Sequence, residues 1–370
     1  MPNSDHKLYD IAIIGAGPAG CAAALGLGQS GLRVALIDKA EFPRGKTCGD
    51  AIPGPAIKAL ENAFPFFEKE FQKLEKRQHI TSSRIMLTKG RFIDYQWSWP
   101  AYNIKREIFD AFLFSLVKKY TNIDILTGWP VDKIIPGKTH VIKSEKTGQS
   151  LQAKMIIASD GAHSIAEKCI QNLIPTAHKQ VFAVRAYFEG INLYTTSNFF
   201  WVDKKYLPGY FWAFPLPDGE FNVGFGMKIG RDGKASLNMK GVLEEFIQSE
   251  KMSHIFSESR QLTDTSGAFI PIGGKKLSYS GDGYLLAGDS AHLADPLQGH
   301  GIDKAVVSGL LAAHHSMNCF KENDFSEAFN ISYDMMIRSG IEKELRKNRQ
   351  RQLILSNFPF LLSFYSLIKK

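Results

Sequence analysis

The chain has 370 residues, of which 44% are hydrophobic, 12% aromatic and 22% charged. That balance excludes a low-complexity polypeptide and is ample for a large core spread over two or three closely associated domains. The net charge of +8 permits an acidic partner or an anionic surface without choosing among them, and much of the excess lies near the C-terminus. No nucleic-acid partner is expected. The N-terminal MPNSDHKLYD lacks the apolar stretch of a secretory signal. No apolar run reaches the roughly 18 residues of a spanning helix. Cytoplasmic residence with reduced thiols is therefore the expectation. Cys21, Cys48, Cys169 and Cys319 show no CxxC spacing, so neither a metal site nor a redox pair is expected.

In chain order, YDIAII at 9–14 reads as a buried parallel strand, 18–30 as a helix and RVALID at 33–38 as a second buried strand. Together they make a βαβ unit. The Gly- and Pro-rich stretch 39–55 reads as a long ordered loop. A helix is expected from 102, with Ile104, Ile108, Phe109, Phe112, Leu113, Leu116 and Val117 on one face. Short strands fill 123–158 and end in the apolar run MIIAS. A second β-rich stretch, dense in aromatics, covers 178–230, and a polar helix falls near 238–250. An apolar strand at 283–289 leads through a glycine-rich loop into a helix with Ile302, Ala305, Val306, Gly309, Leu310 and Ala313 on one face. The tail from 334 is helical, first basic and then strongly apolar.

GAGPAG places Gly15, Gly17 and Gly20 directly after the first strand, with Pro18 and Ala19 between the last two. Gly15 permits a tight turn, Gly17 lets backbone approach a pyrophosphate, and Gly20 lets helix and strand pack closely. The helix N-terminus then offers N–H groups and a positive dipole end to phosphates. Asp38 ends the second strand, where a carboxylate accepts hydrogen bonds from ribose hydroxyls. GLGQSG at 26–31 also fits the glycine pattern but follows no strand and is a chance match. A dinucleotide ligand is predicted.

ASDGAHS at 158–164 and GDSAHLADPLQGHGID at 288–303 each follow a buried strand. With GAGPAG they resemble, in order and spacing, the three fingerprints of the flavoprotein superfamily typified by p-hydroxybenzoate hydroxylase. The resemblance implies FAD rather than NAD. It implies an α/β fold: a Rossmann-like FAD-binding domain of GR2 type, an inserted mixed β-sheet substrate domain and a C-terminal helical tail. The FAD-binding domain would take 1–80, 101–177 and 276–330, the substrate domain 81–100 and 178–275, and the helical region 331–370. On this resemblance Asp289, beside Gly288, would bond the ribityl chain, and Asp160 and Gly161 would support the pyrophosphate region. Arg106, in KREIFDAFL, would lie near the FAD. Lys39 and Pro296 join the expected cofactor contacts. The competing readings are a surface arginine at 106 and turn-forming aspartates at 160 and 289. The N–H groups of Gly299 and Gly301, before the helix that begins at Ile302, can stabilise negative charge on the flavin's pyrimidine edge. A plain helix-entry turn is the alternative.

FPRGKTCGDAIPGPAI at 42–57 resembles the PxxKxCGG loop of the geranylgeranyl reductase family. Arg44, Lys46, Cys48 and Gly49 match, and Asp50 stands where the second glycine is usual. GYFWAFPLPDGEFNVGFG at 209–226 resembles that family's YxWxFP…G…NxGxG segment through Tyr210, Trp212, Phe214, Pro215, Gly219, Asn222, Gly224 and Gly226. VRAYFEG at 184–190, which contains Arg185, also fits. The WxWxIP motif of the flavin halogenases is absent from the sequence.

This resemblance implies saturation of carbon–carbon double bonds in an isoprenoid or similar apolar substrate, with hydride from reduced flavin and a proton to the other carbon. Arg185, Tyr210, Trp212 and Phe214 would face that substrate. The aromatics of 187–225 either line an apolar tunnel or form an ordinary sheet core. Cys48 would lie by the flavin and donate a proton or tune it, or be inert core. His300, where the family has glutamate in GEGI, is either an acid–base group or a polar helix-start residue. The rival functions are a flavin monooxygenase or halogenase acting on an aromatic or polyketide, and a non-catalytic flavin or lipid carrier. No second βαβ unit with a glycine turn is present in the sequence. Electrons would therefore come from NAD(P)H docking transiently, from a ferredoxin or from a flavin reductase. The segment 341–370 passes from basic to apolar and is interrupted by Pro359. It either lies on a membrane surface, making the protein peripheral to it, or packs over the substrate domain.

Overall fold

The structure is a computed structural model that describes residues 7–87, 90–170, 179–229, 237–274 and 278–357. Two sheets organise it. The first runs in the order Ser280–Gly281, Tyr284–Leu286, Ser150–Ala158, Leu8–Ile14, Val34–Ile37 and Asp124–Leu126. From Tyr284–Leu286 onward every neighbour is parallel. A hairpin of Lys133–Ile135 and His140–Lys143 joins Ser150–Ala158 antiparallel. Val34–Ile37 is buried at every position, and its unbroken apolar run reflects a strand covered on both faces.

Helix Pro18–Leu27 follows the first strand and packs against the long helix Ile302–Glu322. The approach is close. A Cβ on Gly309 would lie 2.2 Å from the Ala19 carbonyl, and one on Gly26 would lie 2.8 Å from Ala313 Cβ. The small residues of the first helix are therefore a packing requirement as well as a phosphate signature.

The second sheet is mixed. Its order is Arg260–Gln261, Lys179–Glu189, Phe221–Lys228, Tyr210–Pro215, Ser197–Trp201, Gln78–Met86, Phe92–Asn103 and Ala51–Ile52. Ser197–Trp201 pairs with Gln78–Met86 in parallel, and its pairing with Tyr210–Pro215 is antiparallel. One face of this sheet buries Phe199, Trp201, Phe211, Phe221 and Phe225 against helix Met239–Gln248 and the short helix Ser253–Phe256.

Four details differ from the sequence expectations. The helix expected from 102 begins at Arg106, because Phe92–Asn103 continues as a strand. Residues 51–55 are not loop: Ala51–Ile52 pairs with Phe92–Asn103, and a helix starts at Gly54. The helix read as polar near 238–250 buries Met239, Val242 and Leu243 and is amphipathic. The strand expected over 283–289 is confined to Tyr284–Leu286. Gly288, at φ 67°, turns the chain there into a 3-10 turn.

The C-terminal part forms helix Glu327–Ile337, a π-helical turn Arg338–Glu342 and helix Lys343–Asn357. No helix among the described residues is long and apolar enough to cross a membrane. Pro359 and the apolar end of the tail lie outside the described residues.

Candidate active site

The first glycine turn is built as the spacing requires. Gly15 has φ 97°, and a Cβ there would fall 2.4 Å from the Ser159 carbonyl. A Cβ on Gly20 would fall 1.8 Å from the Gly15 carbonyl. Gly17 is different: a Cβ would meet only Arg44 Nη2, at 3.7 Å. Its surface is open, and it caps a helix whose first N–H groups have no side-chain cap. Asp38 is tied to the turn. Its Oδ2 accepts from Ala16 N at 2.7 Å and its Oδ1 from Ala40 N at 2.9 Å. Each oxygen keeps a lone pair for a ribose hydroxyl.

Across the turn, Asp160 Oδ2 accepts from Ile165 N at 2.6 Å, while its buried Oδ1 has no hydrogen-bond partner among the described residues. Burial raises the Asp160 pKa above the usual carboxylate range. Gly161, at φ 84°, faces open space. An open glycine cradle, an uncapped helix start, a nearby guanidinium and an orphaned acid oxygen together suit the pyrophosphate and ribose of a dinucleotide.

Behind this cradle lies a buried charge node. Arg106 donates to Asp110 through Nε at 2.7 Å and Nη2 at 2.8 Å, a bidentate pair one helical turn apart. Arg44 Nη1 lies 3.1 Å from the same carboxylate. Burial opposes the Arg106 charge, but Asp110 outweighs it and holds the guanidinium firmly protonated. The Cys48 side chain lies beside that guanidinium. Arg106 is thus no surface arginine.

The 42–50 loop carries this node toward the other fingerprints. Lys46 Nζ lies 3.2 Å from Asp289 Oδ2. Gly288 sits against helix Pro18–Leu27, where a Cβ would meet Ala19 Cβ at 3.1 Å. Gly299, at φ 74°, lies under the Tyr210 hydroxyl, which donates to the Gln298 carbonyl. A Cβ on Gly301 would lie 3.7 Å from Asp289 Oδ1, so the start of helix Ile302–Glu322 adjoins the Lys46–Asp289 pair.

Both His300 nitrogens are engaged, Nδ1 with Asp303 Oδ1 at 3.0 Å and Nε2 with Gln298 Oε1 at 2.9 Å. Burial lowers the imidazole pKa, but the Asp303 carboxylate wins and the net shift is upward. The carbonyl of Pro296 accepts from Gln352, and Asp295 Oδ2 accepts from Asn348 Nδ2 at 2.6 Å. The C-terminal helix therefore clasps this loop. Lys39, after Asp38, is exposed, and the turn's hydrogen bonds run through Asp38 and Ala40.

The sheet supplies the opposite wall. Alternation along YFWAFP sends Phe211 and Ala213 into the sheet core and Tyr210, Trp212 and Phe214 to the other face. Phe200 joins them edge-to-face, with ring centroids 5.5 Å from Tyr210 and 5.1 Å from Phe214. Trp212 lies flat over Gly224, where a Cβ would come within 2.2 Å of the indole. The glycines of NxGxG thus make room for the indole. Gly49 is pressed on this wall, since a Cβ would lie 3.2 Å from Phe214.

Asn222 stitches loop to wall. It accepts from Trp212 Nε1 at 2.9 Å and donates to the Cys48 carbonyl and to Asp50 Oδ2, both at 2.8 Å. Arg185 shares this face and stacks on the Tyr187 ring at 4.1 Å. Sequence reasoning did not single out Asp110, Tyr187 or a role for Asp50. Asp110 lies within the same matched helix motif as Arg106, and its i,i+4 spacing was the available signal.

The profile of pyridine nucleotide-disulphide oxidoreductases matches residues 9–189. The chain is 28% identical over 353 residues to the digeranylgeranylglycerophospholipid reductase of Methanocella arvoryzae, across 92% of this chain and 85% of that one. It is 27% identical over 320 residues to the menaquinone reductase of Mycobacterium tuberculosis, across 82% of this chain and 75% of that one. The crystal structure of a geranylgeranyl bacteriochlorophyll reductase-like protein from Thermoplasma acidophilum matches with a TM-score of 0.78 at 23% identity, covering 95% and 88% of the two chains.

A Rossmann-like sheet with its glycine cradle, facing a mixed sheet across a cysteine loop, is the architecture of a flavin-dependent oxidoreductase, and this chain is one. Within that class its sequence is similar to digeranylgeranylglycerophospholipid reductases, and its fold is similar to that of the Thermoplasma acidophilum structure.

Proposed function

We propose that the chain binds FAD and saturates a carbon–carbon double bond in an isoprenoid or other apolar substrate. The observation that carries this reading is the seating of the Cys48–Gly49 loop on the Trp212–Phe214 wall, which places an apolar surface beside the cofactor cradle. The similarity to a digeranylgeranylglycerophospholipid reductase supports the same substrate class. An unactivated alkene offers almost nothing to hydrogen-bond, so the site must work by shape, water exclusion and a placed proton donor.

Gly15, Gly17, Pro18, Ala19 and Gly20 would receive the pyrophosphate with Arg44, and Asp38 the adenosine ribose. Asp160 and Gly161 would support the pyrophosphate region, and Asp289, with Lys46 beside it, would meet the ribityl chain. Gly299 and Gly301 would meet the pyrimidine edge. Bound and reduced, FAD would supply the hydride. Trp212, Phe214 and Tyr210 would hold the apolar chain on this wall and exclude water. Cys48, beside the Arg106 guanidinium and tied to the wall through its carbonyl by Asn222, is the thiol this reading sets by the flavin. His300 braces the Gln298–Gly301 turn through both nitrogens.

Electrons would come from NAD(P)H, a ferredoxin or a flavin reductase. The basic part of the tail, helix Lys343–Asn357, packs on the 295–300 loop and on Lys304 rather than over the substrate domain.

The test is anaerobic photoreduction of the FAD-loaded protein, then incubation with isoprenoid alkenes and mass analysis. Flavin reoxidation with gain of hydrogen pairs is expected. A long-lived flavin hydroperoxide with an oxygenated product would sink the reading in favour of a monooxygenase or halogenase.

A further inference from the structure

We propose that Asp50 and Tyr187 form a proton relay for the substrate face, with Asp50 storing the proton and Tyr187 handing it to the alkene carbon that does not receive hydride. This rests on the alkene-reductase reading above.

Asp50 occupies its place at a cost. Its backbone is left-handed, with φ 63°. That conformation penalises a non-glycine residue, and glycine would occupy it freely. Its carboxyl is fully buried. The groups that touch it are donors without charge: Tyr187 Oη at 2.7 Å, Asn222 Nδ2 at 2.8 Å and the Arg106 backbone N–H at 3.1 Å. A strained backbone and a desolvated acid at the junction of loop and wall serve function better than stability.

The surroundings couple the two groups. Burial raises the Asp50 pKa, while Tyr187, Asn222, Arg185 and the Arg106 N–H oppose it without cancelling it. Burial, and then the Asp50 charge, push the Tyr187 phenol up; Arg185 pulls it down. The Tyr187 ring is flanked by the Arg185 guanidinium at 4.1 Å and the Lys105 ammonium at 4.7 Å. Lys105 itself pairs with Glu220, and Arg106 with Asp110. Cys48 is the remaining titratable neighbour, and it faces Arg106. Protonating Asp50 removes the charge that opposes Tyr187 ionisation and leaves two cations beside the ring. A loaded Asp50 therefore makes Tyr187 the better acid.

The step balances as a proton transfer. With Asp50 protonated, its Oδ2–H donates to Tyr187 Oη and frees the phenol proton to face the substrate. The Tyr187 O–H bond breaks as the new C–H bond forms. The Asp50 proton then moves to the phenolate oxygen, and Asp50 becomes a carboxylate. Water reprotonates it after product leaves.

The test uses FAD-loaded wild type, Asp50→Asn, Asp50→Gly and Tyr187→Phe. Independently of turnover, the infrared spectrum of the wild type near neutral pH should show a protonated-carboxyl stretch that shifts in D2O and is missing from Asp50→Asn. In anaerobic reoxidation of the photoreduced enzyme by geranylgeraniol, the wild-type rate should fall as pH rises through the Asp50 titration. The three variants should be slower by about 100-fold, with that slope removed. Asp50→Gly relieves the backbone strain but leaves the Tyr187, Asn222 and Arg106 donors unpaired, so its melting midpoint is measured beside its rate, and a rate loss with an unchanged midpoint is not a folding defect. Tyr187→Phe carries the test if both Asp50 variants lose FAD. A wild type without the carboxyl band, or Asp50 and Tyr187 variants with wild-type rate and slope, would overturn the relay. A wild type that saturates no isoprenoid overturns the reductase reading instead.

Discussion

The two ends of the site are built by different means. At the phosphate end the chain folds on itself within a few residues, and the determining atoms are backbone: the Gly15 carbonyl, the Ala16 N–H and the bare Gly17 Cα. At the substrate end the determining atoms are side chains from segments far apart in sequence. Asp50 meets Tyr187 across 137 positions and Asn222 across 172. The first end tolerates almost no change of shape. The second is set by polar partners and is open to retuning.

The largest effect should come from Gly20→Val. A side chain 1.8 Å from the Gly15 carbonyl cannot be accommodated, so little folded protein should be recovered and none should retain flavin on gel filtration. Asp110→Ala should come next. It strands the Arg106 and Arg44 guanidinium groups and should cost about 3–5 kcal/mol by chemical denaturation. Gly17→Ala sharpens the contrast with Gly20. Nothing in the protein obstructs its Cβ, so the melting midpoint should stay within a few degrees of wild type. FAD affinity should nevertheless drop by about tenfold, equivalent to ~1.4 kcal/mol. Equal losses of stability for Gly17→Ala and Gly20→Val would break the distinction.

His300→Gln should be the mildest. Asp303 raises the folded-state pKa of His300, so the pair contributes most below the unfolded value near 6.5. The contribution fades as pH rises through the folded value. The variant should lose less than about 1 kcal/mol at pH 6 and nearly nothing at pH 9, by paired melts. A larger loss at alkaline pH would mean the imidazole does more than brace its turn.

Much of the fold was legible because its signals are local. The unbroken apolar strands, the small-residue helix and the three glycine fingerprints each depend on a few neighbouring residues. The aromatics of 187–225 were half legible. Period-two alternation separates Phe211 from Trp212, but not which face meets the loop. The start of helix Arg106–Tyr120 was misjudged because Ile104 continues the apolar period. Tertiary hydrogen bonds decide the matter, from Ile104 N to the Asp50 carbonyl and from Arg106 N to its carboxylate.

The sequence by itself determined the glycine turn, since the positive φ of Gly15 and the close approach at Gly20 leave the chain few alternatives. It also carried the resemblance of the Cys48 loop and the 209–226 strands to one family's motifs. Only the tertiary structure decided what Asp50 does. In the sequence it is one departure from a glycine motif. In the fold it is a desolvated acid clasped by Tyr187, Asn222 and Arg106, because burial and distant partners set the chemistry of a carboxyl group.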